Sequence, residues 1–393
     1  KILFTKILTT KTLMIRYRMI EELNLKDAVK YHYDKFPPEN LDYHKLMKQL
    51  VKSTEAIARF DQMIKKMHNS EILLAPLRSK EAVVSSRMEG TISTVDEILQ
   101  YEADFGGVTD TKGMVRSDVI ETNLYQKALK SAQEAINKGY PLSEYLIKSA
   151  HQELLSFGRG AKKSPGEYKI EQNYLGDKYQ KNISFIPISP EKLNDGMEQL
   201  FKYINEKDEI LLLKTAIAHI EFEALHPFKD GNGRIGRMLI TLMLWKSGVI
   251  SQPHFYISSY FEENKDLYIE KMRNVSLENN WTDWCIFFLH AIEEQSIKNL
   301  EIAENISNLY NEMKEKFREI LSSQYSLNAL DFVFTNPLFR NSKFINESGI
   351  PKSTAKRFPK ILIEEGLLKV QDESSGTRSA LYSFEPLMRL VRV

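Results

Sequence analysis

The chain has 393 residues, a formal net charge of +1 at pH 7 and a single cysteine. This length predicts two or three domains, and the near-neutral charge excludes a global electrostatic attraction to nucleic acid or membrane surfaces. One cysteine excludes an internal disulfide and favours a cytoplasmic protein, and the lack of a run of about 18 apolar residues argues against a membrane span.

The N-terminal stretch is basic. Residues 1–18 contain no acid and carry five cations, at Lys1, Lys6, Lys11, Arg16 and Arg18. Charges interrupt every apolar run and no small-residue cleavage site follows, so we expect no signal peptide. The sequence does not begin with Met, and we expect Met14 or Met19 to lie closer to the functional start.

The segment Ser85–Gly90 has the pattern of a helix end. Ser85 and Glu89 are four residues apart and therefore share one helix face. Gly90 predicts a C-terminal stop, and residues 94–97 predict a capping box that opens the next helix. Taken alone, Glu89 is interpreted most simply as a solvated helix residue.

Further along, turn residues alternate with short β-prone runs between Pro165 and Pro187. This pattern predicts a β-hairpin. His151 follows a helical stretch, and we expect it to be structural rather than catalytic.

A buried helix is predicted at 211–220, and Pro227 argues against its continuation through His226. Gly231 and Gly233 predict a tight turn, because glycine adopts positive φ and allows close ligand approach. Apolar residues then recur at helical spacing, at Ile235, Met238, Leu239, Leu242 and Met243. The loop therefore leads into a helix N-terminus.

This loop contains the groups that phosphate chemistry needs. A helix N-terminus attracts anions, and the forks of Arg234 and Arg237 suit phosphate oxygens. His226 can act as a base, and Asp230 can hold a metal. The G-x-G-x-x-G string at 231–236 does not indicate a dinucleotide fold, because no strand precedes it. The Walker pattern is absent, and a simple glycine-rich turn does not account for the combination.

The run His-Pro-Phe-Lys-Asp-Gly-Asn-Gly-Arg-Ile-Gly-Arg at 226–237 resembles the Fic-domain signature H-P-F-x-[D/E]-G-N-G-R-x-x-R at every defined position. The resemblance implies a mainly α protein with a Fic helical core and a β-hairpin flap. It also implies transfer of AMP from ATP to a Ser, Thr or Tyr hydroxyl of a target protein, which the flap aligns. Where the family usually has arginine this chain has Lys169, which weakens a specific role there.

The resemblance implies roles for the residues of the run. His226 would be the general base, Asp230 would hold Mg²⁺, and Phe228 would anchor the loop. Arg234 would bind the β-phosphate and Arg237 the γ-phosphate. The expected ATP contacts are Gly231, Asn232, Gly233, Arg234, Ile235, Gly236, Arg237, Tyr260 and Asn264. Alternatively, Tyr260 is an ordinary core aromatic and Asn264 is a helix cap.

Ser85–Gly90 resembles the inhibitory helix of the same family, [S/T]-x-x-x-E-[G/N]. The resemblance implies that Ser85 and Glu89 belong to an inhibitory element in which Glu89 pairs with Arg237 and keeps it from the γ-phosphate. Its place before the core matches the subclass with an N-terminal inhibitory helix.

The tail resembles a winged helix-turn-helix. A helix at 327–334, a second near 344–348 and a third ending at Glu365 precede two strands around a turn. Four cations could meet DNA phosphates, namely Lys352, Lys356, Arg357 and Lys360. Pro359 fits poorly inside the third helix, and such modules also bind proteins.

We therefore predict an ATP- and Mg²⁺-dependent protein adenylyltransferase in the cytoplasm, autoinhibited by Glu89 and modifying itself. Its expected parts are an N-terminal helical region at 1–110, a Fic core at 111–315 and a winged-helix-like domain at 326–393. One alternative is removal of AMP from a modified target, with Glu89 positioning a water. Another is a DNA-binding regulator whose core senses nucleotide. The target protein, a homodimer and DNA binding by the tail stay open.

Overall fold

A computed structural model describes residues 23–67, 69–106, 114–176, 181–376 and 378–392. The basic stretch at 1–18 and the domain boundary expected at 110 lie outside these residues. The mainly α prediction is confirmed. Within the described part of the chain, no helix combines the length and the apolar character needed to cross a bilayer.

Helices account for most of the structure before the His226 loop. They are α1 (Tyr43–Lys66), α2 (Ser70–Leu73), α3 (Ala75–Met88), α4 (Val95–Phe105), α5 (Ser117–Asn137), α6 (Glu144–Leu154), α7 (Leu193–Glu206) and α8 (Leu211–Leu225). Those that follow the loop are α9 (Asn232–Lys246), α10 (Ser258–Glu263), α11 (Lys265–Glu278) and α12 (Trp281–Leu321).

The long helix α12 packs along α1 and also contacts α8, so it joins the N-terminal region to the centre of the core. Its aromatic residues Trp281, Trp284, Phe287 and Phe288 are buried, as their helical spacing predicts. Cys285 is buried among them, and burial raises the pKa of its thiol. The aromatic-rich run around Cys285 predicts a buried thiol, and the structure contains one.

Helices α8 and α9 pack against each other on either side of the loop. Nearly every residue of both is buried, because both are apolar on most of their surface. Helix α8 ends at Leu225, one residue before His226, as Pro227 predicts. Helix α9 begins at Asn232, directly after Gly231, whose φ of 77° needs glycine.

Helix α3 ends as its sequence predicts. Its last residue is Met88, Glu89 is the C-cap, and Gly90 follows with a φ of 84°. The predicted capping box is also present, since the Thr94 side chain accepts from the Glu97 amide while the Glu97 carboxylate accepts from the Thr94 amide. A short connection therefore links the end of α3 to α4.

The predicted hairpin is shorter than its sequence indicates. Strands β2 (Leu175–Gly176) and β3 (Ile183–Ile186) pair antiparallel, while residues 177–180 lie outside the described chain. A third strand, β1 (Val29–Lys30), pairs parallel with β3 and was not predicted. Residues 165–166 form a turn, and residues 167–169 are irregular rather than a strand. The backbone of this segment instead follows the loop, where the Lys169 amide donates to the Pro227 carbonyl.

The tail holds a three-stranded antiparallel sheet in the order β4-β6-β5, covered by short helices. Its elements are α13 (Ser326–Thr335), β4 (Leu338–Arg340), α14 (Asn341–Glu347), α15 (Lys352–Ala355), α16 (Phe358–Glu364), β5 (Leu368–Asp372), β6 (Leu381–Phe384) and α17 (Glu385–Val391). The continuous helix predicted up to Glu365 is wrong. The chain breaks between α15 and α16 so that Pro359 falls in a first turn, where proline is tolerated.

Ion pairs join this tail to α4, the helix that follows the Ser85–Gly90 segment. Arg340 Nε lies 2.6 Å from Asp104 Oδ1, and both side chains are less than a tenth exposed. Arg378 pairs with the other oxygen of Asp104, and Arg392 with Asp96. The four cations expected to meet DNA are exposed on α15, α16 and the connection between them. DNA binding by the tail stays a prediction.

Candidate active site

His226 occupies the corner between α8 and the loop in a left-handed conformation, with φ 46° and ψ 61°. Its amide donates to the Phe222 carbonyl and closes the helix. Nδ1 is buried near the Glu223 carbonyl without a hydrogen bond of normal geometry in the described chain. Burial, and then the Lys169 ammonium, lower the pKa of His226 to about 4. The imidazole is therefore neutral at pH 7, which suits a general base.

Two side chains hold the loop rigid. Asn232 Oδ1 accepts from the Phe228 amide and Asn232 Nδ2 donates to the Phe228 carbonyl, both at 2.8 Å. The Phe228 ring is fully buried and stacks on His151 at 3.7 Å between ring centroids. Because the Asn232 side chain is used in these two hydrogen bonds, Asn232 can meet an anion only through its backbone amide.

His151 acts as a structural residue, as expected. Its Nε2 donates to the Asp230 carbonyl at 2.9 Å, and its Nδ1 accepts from the Gly166 amide at 2.8 Å. A neutral ring with the proton on Nε2 satisfies both bonds. Burial lowers the pKa of His151 to about 4, which keeps that form at pH 7.

The first turn of α9 has the features of an anion-binding site. The leading amides of a helix lack partners within it, and the helix dipole adds positive potential there. The side chain of Arg234 is only 3% exposed, and its Nε and Nη1 are buried without a partner in the described chain. Orphaned guanidinium donors are unfavourable unless an anion meets them, so they fit a bound phosphate.

Two of the predicted ATP contacts are not placed to touch a ligand. Ile235 is fully buried in the core, and its amide donates to the Gly231 carbonyl. Gly236 faces Glu223 and Phe222, and its carbonyl accepts from His219 Nδ1. We therefore remove Ile235 and Gly236 from the expected ATP contacts, because neither presents a free polar group.

Arg237 is hydrogen-bonded to the end of α3 through Nε and Nη2. Its Nε donates to Ser85 Oγ at 2.9 Å, and its Nη2 donates to the Ser85 carbonyl at 2.8 Å and to Glu89 Oε1 at 2.9 Å. The Arg237 side chain is 2% exposed and that of Glu89 is 35% exposed. The pair expected from the sequence resemblance is thus present, and Ser85 contributes two of its three hydrogen bonds.

The Glu89 carboxylate also lies against the first turn of α9. A Cβ on Gly233 would overlap Glu89 Oε1, so the absence of a side chain at that position admits the carboxylate. Burial favours the neutral acid, but Arg237 and Arg234 outweigh it and lower the pKa of Glu89. Burial likewise opposes the charge on Arg237, yet Glu89 raises its pKa. An ionised carboxylate therefore lies where an anion would meet this helix.

Contacts beyond the sequence motif fix the position of this carboxylate. Arg87 donates to both oxygens of Glu262 at 2.6 and 2.7 Å, a bidentate pair on α10. Lys265 Nζ donates to the Met88 carbonyl at 3.0 Å. These side chains anchor the end of α3 to the helices after the loop, and no sequence signal pointed to them.

Glu223 is a second carboxylate near Arg237. Its Oε1 is buried without a partner in the described chain and would overlap a Cβ on Gly236. Burial raises the pKa of Glu223 to about 7, against the opposing effect of Arg237. Arg237 therefore interacts with Glu223 and Glu81 as well as with Glu89, and among these acids the hydrogen bonds of the described chain include only that to Glu89.

Lys169 and Asn173, at the base of the flap, contact the loop more closely than the sequence indicates. Lys169 is buried, and its Nζ donates to the Leu225 carbonyl at 2.9 Å. Asn173 Nδ2 donates to the Phe228 carbonyl at 2.8 Å. Between the flap and the loop lies a groove of about 1000 Å³, lined in part by His226, Lys229 and Tyr174. His226, which is partly buried, therefore borders an open groove beside the flap.

Tyr260 lies in α10, and Asn264 is the C-cap of that helix. The Tyr260 ring packs on Phe287 and His290, and Asn264 Nδ2 donates to the Tyr260 carbonyl. Neither makes a contact to the loop among the interactions of the described chain, so their roles in ATP binding stay predictions.

A different tyrosine, Tyr268, is connected to α9 through His219 of α8. Tyr268 donates to His219 Nε2 at 2.8 Å, and His219 Nδ1 donates to the Gly236 carbonyl at 3.2 Å. Burial lowers the pKa of His219 to about 3, so the ring is neutral and one nitrogen accepts while the other donates. These two hydrogen bonds support α9 from the core, and they satisfy the buried polar groups of Tyr268 and His219.

Asp230 is the metal candidate. Its carboxylate is 38% exposed at the loop, with Oδ1 3.4 Å from Arg234 Nη2. Mg²⁺ is commonly held by one or two carboxylates together with substrate phosphates. An accessible carboxylate beside the anion site fits that donor set.

Two family models match the chain. Residues 141–244 match the model described as the Fic/DOC family, and residues 47–134 match the model of the Fic/DOC family N-terminal region. The first match contains the loop, and the second contains the end of α3. The two parts of the site thus come from the two matched regions.

Two curated relatives are named as adenylyltransferases. Protein adenylyltransferase fic-1 of Caenorhabditis elegans is 26% identical over 147 residues, which cover 34% of this chain and 27% of that protein. A probable protein adenylyltransferase of Aquifex aeolicus is 27% identical over 204 residues, which cover 52% and 56% respectively. The chain therefore spans about a quarter and just over half of these relatives.

Two crystal structures share the fold. A Fic domain containing signalling protein from Bacteroides thetaiotaomicron superposes with a TM-score of 0.52 at 22% identity, covering 65% of this chain and 97% of that one. A Fic family protein from Desulfovibrio desulfuricans superposes with a TM-score of 0.55 at 16% identity, covering 88% and 98%. At these identities the likeness concerns the fold alone.

Proposed function

Because the chain belongs to the Fic/DOC family, we propose that it transfers AMP from ATP to a hydroxyl of a target protein and that Glu89 holds it in an inhibited state. One observation carries the proposal. The Glu89 carboxylate lies against the first turn of α9, bonded to Arg237, while buried donors of Arg234 stay unpaired beside it. An anion-binding site next to a neutral imidazole and an open groove supports nucleotidyl transfer.

In the transfer step, His226 takes the proton of a Ser, Thr or Tyr hydroxyl lying in the groove. The hydroxyl oxygen forms a bond to the α-phosphorus of ATP, the bond to the β-phosphate oxygen breaks, and pyrophosphate leaves. The amides of the first turn and Arg234 hold the α- and β-phosphates, and Arg237 holds the γ-phosphate. Fixed donors of this kind stabilise the charge that develops in such reactions. Asp230 would hold Mg²⁺, which supplies further positive charge to the phosphates.

Glu89 inhibits this reaction by competing for the same donors. Its carboxylate is charged, and Arg237 is bonded to it and to Ser85. A γ-phosphate would have to displace the carboxylate from Arg237 and would meet its negative charge near Gly233. ATP can still enter, but its phosphates cannot settle into the reactive position until the end of α3 moves.

The experiment is the intact mass of the protein after incubation with ATP and Mg²⁺, for wild type and for Glu89→Gly. We expect a gain of one adenylyl group on a fraction of the variant, because an accessible hydroxyl near the flap serves as target. The Glu89→Gly/His226→Ala double variant is the blank. An unchanged mass in all three proteins, with no transfer to proteins of a lysate, would contradict the proposal.

A second activity is supported by the place of Glu89 beside His226. The two side chains interact electrostatically, so the carboxylate could hold a water for removal of AMP from a modified target. The direction in which label moves separates the two reactions. Removal requires loss of label from a modified protein by wild type but not by Glu89→Gly.

Arg237 should discriminate ATP from ADP. In the Glu89→Gly background, we expect Arg237→Ala to weaken ATP binding by about 10–100-fold and ADP binding much less, since charged hydrogen bonds contribute about 1.5–3 kcal/mol. Isothermal titration calorimetry with both nucleotides gives the comparison. Arg234→Ala is the matched control, because loss of a β-phosphate contact weakens both. Equal losses for ATP and ADP in Arg237→Ala would refute the γ-phosphate assignment.

The pH profile should show a base that stays neutral under acid. The pKa of His226 is about 4 instead of the ordinary 6.5, and the active form is the unprotonated one. We therefore expect the transfer rate of Glu89→Gly to stay level as pH falls through 6.5 and to decline only at lower pH. A rate that halves at 6.5 or above would contradict the depressed pKa.

Initial rates at saturating ATP provide this profile, with circular dichroism at each pH as the control for folding. The control matters because His151 and His219 also have pKa values lowered by burial, to about 4 and about 3. Their neutral forms stabilise the fold above the ordinary histidine pKa, and that stability is lost as pH falls toward these values.

A further inference from the structure

The segment 169–173, which leads into the flap, donates hydrogen bonds to the four consecutive carbonyls of residues 225–228 around His226. Lys169 Nζ donates to the Leu225 carbonyl at 2.9 Å, and the Lys169 amide donates to the Pro227 carbonyl at 2.8 Å. Asn173 Nδ2 donates to the Phe228 carbonyl at 2.8 Å and, more weakly, to the His226 carbonyl at 3.4 Å. One side chain and one backbone amide of Lys169 therefore bracket His226 on both sides.

Lys169 is an unusual residue to bury. It is 2% exposed, and its ammonium has no carboxylate partner within the described residues. Taking an ammonium out of water is unfavourable, and burial lowers the pKa of Lys169 to about 7. Leu225 is the last residue of α8, so its carbonyl lies at the negative end of the helix dipole. That end of the helix partly compensates the buried charge.

The bracketed residue needs external support. A residue other than glycine with φ near +46° is strained by about 1–3 kcal/mol and persists only where its surroundings determine the conformation. Pro227 prevents α8 from continuing but does not itself select the left-handed form. The donors of Lys169 and Asn173 fix the carbonyls that precede and follow His226. They thereby fix the direction in which the imidazole leaves the backbone.

We propose that Lys169 is a positioning residue for His226, and that through it the flap that seats the target also sets the orientation of the base. This inference rests on the proposed transfer reaction for its catalytic meaning. Lys169 reaches the reaction only through the backbone on both sides of His226 and through its charge. The segment that carries it continues at Glu171–Asn173 into the wall of the groove, so one segment contacts both target and loop.

The test compares Lys169→Met, which keeps the length but removes the ammonium donor and its charge, with Lys169→Arg, which keeps a charged side-chain donor; both keep the backbone amide. Lys202→Met is the matched control on an exposed lysine outside the site. All are made in full-length Glu89→Gly. We expect Lys169→Met to lower the rate of AMP incorporation by about 10–100-fold, since small misplacements of catalytic groups have effects of that size. ATP affinity should be unchanged, and Lys169→Arg should retain the rate.

A second readout does not require activity. Histidine-labelled protein in NMR reports the pKa of His226, with its signal assigned by its loss in His226→Ala. The charged groups facing His226 are Lys169 and Glu89. Because Glu89 is absent from the Glu89→Gly background, the titration is repeated with the Lys169 substitutions in the wild-type protein. We expect Lys169→Met to raise the pKa of His226, because a nearby positive charge is removed, and Lys169→Arg to leave it low.

The outcomes are distinct. Equal rate losses in Lys169→Met and Lys169→Arg with an unchanged His226 pKa would reduce Lys169 to a packing role and overturn the inference. An unchanged rate in Lys169→Met would overturn it as well. If Glu89→Gly transfers no AMP at all, the proposed function fails. The NMR titration then still decides whether Lys169 controls His226.

Discussion

Replacing His226 with Ala is expected to slow AMP transfer by about 10²–10⁴-fold, the usual effect of losing a general base. ATP should still bind, because the amides of the first turn of α9, Arg234 and Arg237 are untouched. The measurement is label incorporated from ATP in the Glu89→Gly background, together with ATP affinity by calorimetry. In this form the variant separates proton abstraction from nucleotide binding.

His44→Ala is the matched control, since this histidine is exposed on α1, outside the loop. It should leave both quantities unchanged. A His226→Ala protein that transfers AMP at nearly the parental rate would rule out the general-base role. Loss of ATP binding along with the rate would instead indicate that the loop had collapsed, which the stacking of Phe228 on His151 argues against.

Replacing Glu89 with Gly is expected to increase AMP transfer by about 10–100-fold, whereas most substitutions in a site only impair it. A charge-assisted hydrogen bond contributes about 1.5–3 kcal/mol to the stability of the inhibited state. Removing the bond therefore lowers the population of that state relative to the active state by about 10–100-fold. The contact is partly exposed to solvent, which favours the lower end of the range. Initial rates of labelling at matched protein concentration give the ratio, with Glu89→Gly/His226→Ala as the blank.

The chain offers a close control in Glu365. Like Glu89 it is the C-cap of a helix and is followed by a glycine with positive φ, but it lies in the tail. Glu365→Gly makes the same local change far from Arg237 and should leave labelling unchanged. If Glu89→Gly labels no faster than wild type, the carboxylate is a simple cap and the inhibitory proposal is abandoned. Any AMP-removing activity should disappear in the same variant.

Local patterns in the sequence were sufficient for several features of the site. Pro227 ended α8, Gly231 opened α9, and Gly90 ended α3, where the sequence placed each. The capping box of α4 was also predicted correctly from the sequence. These features depend on φ preferences and hydrogen bonds within a few residues, so the sequence by itself determined them. The resemblance of residues 226–237 to one family signature identified the loop in the same way.

Other features depended on which elements pack together. Glu89 and Arg237 are 148 residues apart, and only packing of α3 against α9 brings the carboxylate over Gly233. Lys169 looked unimportant in the sequence, because its meaning lies in the carbonyls it reaches. Ile235 and Gly236 looked like ligand contacts but face the core. Which side of a buried helix faces the core depends on its neighbours in three dimensions, so tertiary structure alone decided which residues of the loop and of α9 face the core.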